Sequence, residues 1–313
     1  MDAIFTAAVG AIALVTLAHF LPGDPLEAVI GDRQFDAATV AEMRARWGVD
    51  RTLLDALRDT FGGLARGDLV SWSAQRPVTE LVLERIGPTL LLGGLTLLID
   101  FTVGLGLGVW AALHPTTLRS RFLGAFTIAG YALPSFAVGL VLVWLFAVQL
   151  AWLPAGSMTD PLLPADASAV ARLVDYLRHL ALPLATMVIA TFAVPFRHQR
   201  SAVVGTAAAP WVAAARARGV SPSAVAWRHC WRPALTPIVT LFGLWLPILV
   251  SGAVFIEVVF AWPGLGTLIA DATARRDVPL VVASGMLVIV AVQVGSLVAD
   301  VLYRVVDPAQ RPA

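Results

Sequence analysis

Six stretches of this chain, residues 3–21, 88–113, 122–150, 179–196, 234–260 and 279–303, are apolar over lengths that match a lipid bilayer. A helix needs about 20 mostly apolar residues to cross the hydrocarbon core, where no water is present to satisfy its backbone. Of 313 residues, 58% are hydrophobic and only 14% are charged, against about 25% charged in a soluble domain. The expected fold is therefore an all-α membrane protein with six transmembrane helices. The expected parts are a first transmembrane helix over 1–21, an extracytoplasmic region over 22–87, a five-helix core over 88–303 and a cytoplasmic tail over 304–313. No small-residue cleavage site follows the first run, so it reads as a transmembrane helix and not as a removed signal. Pro134 predicts a kink or tilt that absorbs the excess length of the third stretch. Pro183 and Pro195 predict a bend in the fourth.

Orientation follows from the Arg residues of the short connections. Arg119 and Arg121 stand without an acid between the second and third stretches. Arg197, Arg200, Arg216, Arg218, Arg228 and Arg232 do so between the fourth and fifth. The connections carrying Arg172 and Arg178, and Arg275 and Arg276, balance them with Asp residues. The second and fourth connections are thus expected in the cytoplasm, the first, third and fifth outside, and both termini inside. The long first connection is near neutral and mixed, with helices expected over 37–46 and 53–65 and a glycine-punctuated end at Gly62, Gly63 and Gly67.

The cytoplasmic connection 197–233 is the most informative. An Ala-rich stretch from Trp211 to Arg218 carries Arg216 and Arg218, and Gly219 supplies a stop suited to positive φ. Ser221 followed by Pro222 reads as an N-cap with proline at the first helical position, and the second helix continues through 225–231. A helix–glycine–helix corner of this kind can pass a rigid-body movement from a soluble partner to the spans. The same stretch could also lie flat on anionic lipid.

Several chemistries are excluded. Every basic side chain other than His is Arg, so the lysine of a phosphate-binding nucleotide loop is missing. Cys230, the lone cysteine, allows neither an internal disulfide nor a thiolate cluster. The signatures of zinc and serine hydrolases are also absent. A stand-alone secondary transporter would call for ion-coupling carboxylates at broken helices in repeated halves, and only Asp100 lies deep in a span. The chain is not expected to be an enzyme.

The run Ala213-Ala214-Ala215-Arg216-Ala217-Arg218-Gly219, with Pro233 after it, resembles the cytoplasmic loop of binding-protein-dependent ABC importer permeases. Ala213 stands where that loop usually has Glu, which removes any salt bridge from that position. Leu21-Pro22-Gly23-Asp24-Pro25, Arg66-Gly67-Asp68-Leu69, Arg76-Pro77-Val78, Leu133-Pro134-Ser135-Phe136, the run from Glu257 through Trp262 to Gly266, and Asp277-Val278-Pro279-Leu280 resemble the dipeptide, oligopeptide and nickel branch, specifically its first (B-type) permease subunit. Val70 departs from that pattern.

The resemblance implies that Ala213, Ala214, Ala215, Arg216, Arg218, Gly219, Val220, Ser221 and Pro222 couple the chain to an ATPase. It implies a second homologous permease, two ATPase subunits and an extracytoplasmic solute-binding protein as partners, at a bacterial or archaeal inner membrane. No cofactor is implied in this chain, because ATP and Mg are used by the partner ATPases. The implied cargo is dipeptides or oligopeptides, with nickel or metal chelates as the alternative.

Ionisable groups inside spans are costly, at about +2.5 to +3.5 kcal/mol for a mid-span Asp. Asp100, Tyr131 and Glu257 are the candidate contacts along a solute path. The plainer reading of Asp100 is a buried carboxyl bonded to Ser or Thr hydroxyls of a neighbour, such as Thr96 or Thr102, and that of Glu257 is an interfacial carboxylate capping 263–274. Trp110, Trp152, Trp211 and Trp262 are expected in interfacial belts. Gly104 and Gly108 have the spacing that lets helices approach closely.

Overall fold

Long apolar sequence with few internal breakers gives helices, and the computed structural model, which describes residues 2–20, 26, 36–47 and 51–306, is mostly helical there. The Leu21–Pro25 motif and residues 307–313 lie outside the described residues. The helices are α1 (Asp2–His19), α2 (Ala37–Trp47), α3 (Leu53–Arg66), α4 (Val78–Leu113), α5 (Leu118–Ala132), α6 (Ser135–Gln149), α7 (Ala169–Thr191), α8 (Ala193–Ala207), α9 (Pro210–Ala217), α10 (222–231), α11 (Thr236–Val259), α12 (Leu265–Ala274) and α13 (Val278–Val306). Among the described residues, α4, α7 and α13 are long and apolar enough to cross a membrane alone. The pair α5 and α6 passes the same test together.

The break expected at Pro134 is present and large: α5 and α6 meet at 106° across it. Leu133 is forced out of the helical region by the proline that follows it, and both Leu133 (ψ 141) and Pro134 (ψ 132) are extended. Two successive extended residues end one helix and start another. The fourth stretch is interrupted at Phe192, and the two prolines take different places in it. Pro183 sits inside α7 without ending it, and Pro195 falls in the first turn of α8, where its missing N–H is tolerated.

The chain divides into two units: residues 1–90 with 263–293, and residues 91–262 with 294–313. In the first unit, α3 begins at the N-cap Thr52, whose side chain accepts from the Asp55 amide, and ends at Gly67 (φ 72). The expected stretch 53–65 is therefore a real helix, but Gly62 and Gly63 lie inside it and only Gly67 ends it. After Gly67 the chain makes a tight hairpin closed by an antiparallel bridge between Val70 and Pro77. Asp277 ties this hairpin down. Its Oδ2 accepts from Ser71 Oγ (2.5 Å), Ser73 N (2.8 Å) and Ser73 Oγ (2.7 Å), and its Oδ1 accepts from Leu280 N (3.2 Å) in the first turn of α13. Thr89 Oγ1 takes the Leu265 amide at the start of α12 (2.8 Å). Val78, Leu81, Leu265, Leu268 and Leu280 form the apolar core beneath.

The second unit holds the larger core, with Leu92, Leu180, Met187, Ile256, Phe260 and Trp262 at its centre. Trp262 is fully buried there, with its ring 6.1 Å from that of Tyr176, so its indole packs in the protein core. Trp152 and Trp211 are exposed. The α11 helix ends with Ala261 in the left-handed region (φ 47) and Trp262 N donating back to Glu257 O at 2.8 Å.

Candidate functional site

The candidate coupling elbow is built from local rules. Pro210 opens α9 at its first position. Its end carries a left-handed cap: Gly219 has φ 78, Gly219 N donates to Arg216 O (2.9 Å) and Val220 N to Ala215 O (3.2 Å). Those two bonds satisfy carbonyls that the helix end leaves open. Ser221 then caps α10 by accepting from Ala224 N (3.4 Å), and Pro222 follows at the first helical position. The start and stop residues expected from sequence are the ones used. The second helix departs from expectation after Ala224, where Val225–Trp231 takes wider π-helical turns.

Burial separates the elbow's two faces. Val212, Ala215, Val225, Cys230 and Ala234 form an apolar cluster with Val109 of α4 and Val203 of α8. Trp211, Ala213, Ala214, Arg216, Arg218, Gly219, Ser221, Pro222, Trp227 and Arg228 are exposed, and Val220 is half-buried. The elbow is thus anchored through its apolar side to two long helices of its own unit. Burial pushes the Cys230 thiol up from its ordinary value, with the nearby Arg216 guanidinium opposing the shift.

The route inward from the elbow is a close helix pair. A Cβ on Gly108 would lie 2.7 Å from Phe196 O, and one on Gly104 would lie 3.4 Å from the Phe192 ring. The two glycines seat α4 against α8 and the preceding residue, Phe192. Beside Gly108, Gln199 is fully buried and both its amide atoms lack a hydrogen bond. No sequence signal marked Gln199, because a single Gln on a helix gives no hint of which side it will bury.

Farther along α4, Asp100 opens a five-residue π-helical segment, Asp100–Gly104, and is fully buried. Wide turns of this kind often mark functional positions. The expected kind of partner, a threonine hydroxyl, is present, but it comes from neither of the two residues named. Thr96 and Thr102 donate to the carbonyls of Leu92 and Leu98, whereas Thr191 Oγ1 at the end of α7 bonds Asp100 Oδ2 at 2.6 Å. Trp245 of α11 approaches the same carboxyl group, yet its indole N–H and Asp100 Oδ1 both stand without a hydrogen bond. Thr191 and Trp245 were not foreseen, since neither lies near Asp100 in sequence. Tyr131 is exposed near the end of α5, and Asp100 bonds to Thr191 and not to it. Glu257 is fully buried on α11.

This arrangement is that of a membrane protein whose helix–glycine–helix elbow exposes Arg216, Arg218 and Arg228. A family described as the binding-protein-dependent transport system inner membrane component matches residues 104–312. The chain belongs to that family. The di/tripeptide transport system permease protein DppB of Pseudomonas aeruginosa is 36% identical to it over 96% of this chain and 94% of its own length. The oligopeptide transport system permease protein AppB of Bacillus subtilis is 30% identical over 92% of this chain and 89% of its own. The glutathione transport system permease protein GsiC of Escherichia coli is 32% identical over 94% and 90%. Among solved structures, a chain of the MetNI methionine ABC transporter shares the fold, with a TM-score of 0.54 at 17% identity, covering 74% of this chain and 99% of that one. As a binding-protein-dependent permease, the chain is a transport subunit of an ABC importer. The resemblance first carried by Ala213–Gly219 and the run after Glu257 thereby becomes membership.

Proposed function

We propose that this permease is the first (B-type) of two homologous membrane subunits in an importer for dipeptides or oligopeptides. It works with two ATPase subunits and an extracytoplasmic solute-binding protein. The observation that carries the reading is the 36% identity to a di/tripeptide permease across 96% of the chain, alongside relatives described for oligopeptides and glutathione. The chain does no bond chemistry, and ATP and Mg act in the partner ATPases. The stand-alone transporter is set aside by the family. Nickel or metal chelates remain the alternative cargo of the same machinery.

In this reading the exposed face of 210–222, including Ala213, Ala214, Arg216, Arg218 and Gly219, meets the ATPase in the cytoplasm. The apolar face of the elbow hands the movement to α4 and α8 through Val109 and Val203. Both termini lie inside, and the hairpin at 70–77 faces outward. Among Asp100, Tyr131 and Glu257, Asp100 is favoured as a solute contact. It is a buried carboxyl with one unpartnered oxygen on a π-helical segment, and a charge placed there is costly unless something answers it. The coupling elbow biases the spans between two arrangements as the ATPases close and open.

The test is co-purification. A tagged chain expressed with its neighbouring genes and extracted in mild detergent should bring down ATPase subunits and a second permease. Vesicles holding the complex should take up dipeptides only with ATP and the binding protein present. A chain that purifies alone and transports in their absence would sink the proposal.

A further inference from the structure

For a helix in water, α5 is turned inside out. Its buried positions are Ser120, Thr127 and Gly130, whereas Leu118 is 82% exposed and Phe122 72% exposed, with Phe126 exposed beyond them. These three large side chains recur at every fourth residue and so share one face, and the Phe122 and Phe126 rings are 6.4 Å apart. An outward apolar face of this size marks contact with a membrane or a partner. The opposite face is pinned. Thr117 caps α5 by accepting from Ser120 N (3.3 Å), and Ser120 Oγ donates to Ala111 O of α4 (3.2 Å). A Cβ on Gly130 would lie 2.8 Å from Ile189 O of α7.

Where the exposed face of α5 meets α4 it leaves a groove of about 540 Å³. Leu107 and Trp110 of α4 line one wall, and Leu118, Arg119, Phe122 and Leu123 of α5 the other. Every lining side chain is apolar except Arg119. The wall on α4 is fixed as well. The His114 ring stacks on Trp110 with centroids 5.4 Å apart, and its Nδ1 lies 2.9 Å from Trp110 O.

No acid of this chain answers Arg119. The sequence holds no Asp or Glu between Asp100 and Asp160, or between Asp175 and Glu257. Among the described residues none of Arg119, Arg121 and Arg200 makes an ion pair, and the ion pairs found lie at Arg51, Arg66, Arg76 and His179. A Cβ on Gly124 would lie 3.5 Å from Arg200 Nη1, so a further guanidinium rests against α5. An apolar groove bearing a cation suits an amphiphile with an apolar tail and an anionic head. A soluble anion would leave the apolar walls uncovered. A neutral protein helix would bury Arg119 without a counter-charge, which is costly.

We infer that the groove between α4 and α5 is a binding site for an anionic phospholipid, with an acyl chain laid along Trp110, Leu118 and Phe122 and the phosphate on the Arg119 guanidinium. Arg121 and Arg200 add the positive field that selects a net negative headgroup over a zwitterionic one. Leu107 and Trp110 stand on either side of Gly108 in sequence, the glycine at which α4 meets α8. The lipid therefore seats beside that helix contact. The inference goes beyond the importer reading and does not depend on it, because it needs only that α4 and α5 meet lipid.

The experiment places the full chain, expressed with its neighbouring genes, in phosphatidylcholine nanodiscs. These are doped with brominated phosphatidylglycerol or, at the same fractions, with brominated phosphatidylcholine. Bromine on an acyl chain quenches an indole that it touches, and the difference between wild type and Trp110→Phe isolates the signal of Trp110. Brominated phosphatidylglycerol should half-quench Trp110 at a fraction about fivefold lower, the selectivity of one basic side chain at an anionic headgroup. Arg119→Gln should erase the selectivity, and Arg119→Lys should keep most of it, since a point charge still binds phosphate. Unchanged quenching of the other tryptophans checks that each variant is folded. Equal quenching by the two lipids in wild type, or a selectivity that survives Arg119→Gln, overturns the inference. Displacement of the lipid by inorganic phosphate also overturns it, by assigning Arg119 to a soluble anion. So does the absence of any Trp110 quenching, which would give the groove to a protein neighbour such as a second permease. Each of these outcomes leaves the importer reading standing.

Discussion

Ser71 Oγ donates to Asp277 Oδ2 across 2.5 Å of space and 206 residues of chain. The bond joins two motifs that sequence presents as unrelated, the hairpin after Leu69 and the start of α13. Asp277 is fully buried, and both its oxygens accept hydrogen bonds, one set from the hairpin and one from its own helix. It serves as an N-cap and as a cross-link at once.

Replacing Asp277 with Ala should therefore destabilise the first unit by about 3 kcal/mol or more, since bonds to a charged acceptor contribute roughly 1.5–3 kcal/mol each and their donors would be left buried. Ser71→Ala should cost about 1 kcal/mol. Thermal unfolding in detergent would rank the two, and protease cleavage within 70–77 should appear in Asp277→Ala first. Equal stability of both variants and wild type would show the cross-link to be idle.

Gly108 and Gly106 make a paired test of the α4–α8 contact. A Cβ at Gly108 meets the Phe196 carbonyl oxygen at 2.7 Å, whereas one at Gly106 meets nothing within 4 Å. Gly108→Ala should cost about 1–3 kcal/mol, because a backbone oxygen cannot rotate away. Gly106→Ala should be neutral or up to about 1 kcal/mol stabilising. The difference in melting temperature between the two variants is the measurement.

At Gly219 the backbone is left-handed, with φ 78 and open space around the missing Cβ. A Cβ there meets nothing within 4 Å, so the main cost of Val is the conformational penalty, about 1–2 kcal/mol. If the elbow transmits the ATPase stroke, Gly219→Val should keep insertion and ATP hydrolysis but lower uptake severalfold. Measuring both rates in the same vesicles separates uncoupling from misfolding. Full uptake would remove the elbow from the mechanism.

Cys230 is 1% exposed, and burial raises its thiol pKa against the pull of Arg216. The thiolate is the reactive form, so maleimide should label the native chain far more slowly than the detergent-unfolded chain at neutral pH. Labelling should keep rising with pH beyond the point where a free thiol levels off. Because the folded chain holds this proton more tightly, the stability linked to it is complete below the ordinary thiol value and is lost as pH rises from there through the raised folded value. Labelling at equal rates in the two states would show the elbow's core to be open.

Much of the site was legible because its rules are local. Gly219, Ser221 and Pro222 take the backbone roles their chemistry favours, and the helices over 37–47 and 53–66 stand where periodicity put them, give or take a residue. Pro134 announced a break but not its size. The 106° turn follows from two successive extended residues, and only the second of these is a proline.

The sequence by itself determined that the chain meets lipid, where its long apolar runs lie, and that the corner at 210–222 carries arginine without acids. These are properties of neighbouring residues, and hydropathy, capping and charge act within a few turns. Tertiary structure alone decided that Asp100 bonds Thr191 and not Thr96 or Thr102, that Trp262 and Glu257 are buried, and that Ser71 meets Asp277. Those outcomes depend on which face each helix turns to a neighbour far away in the chain, and a helix of apolar residues on every side does not write that choice into its own pattern.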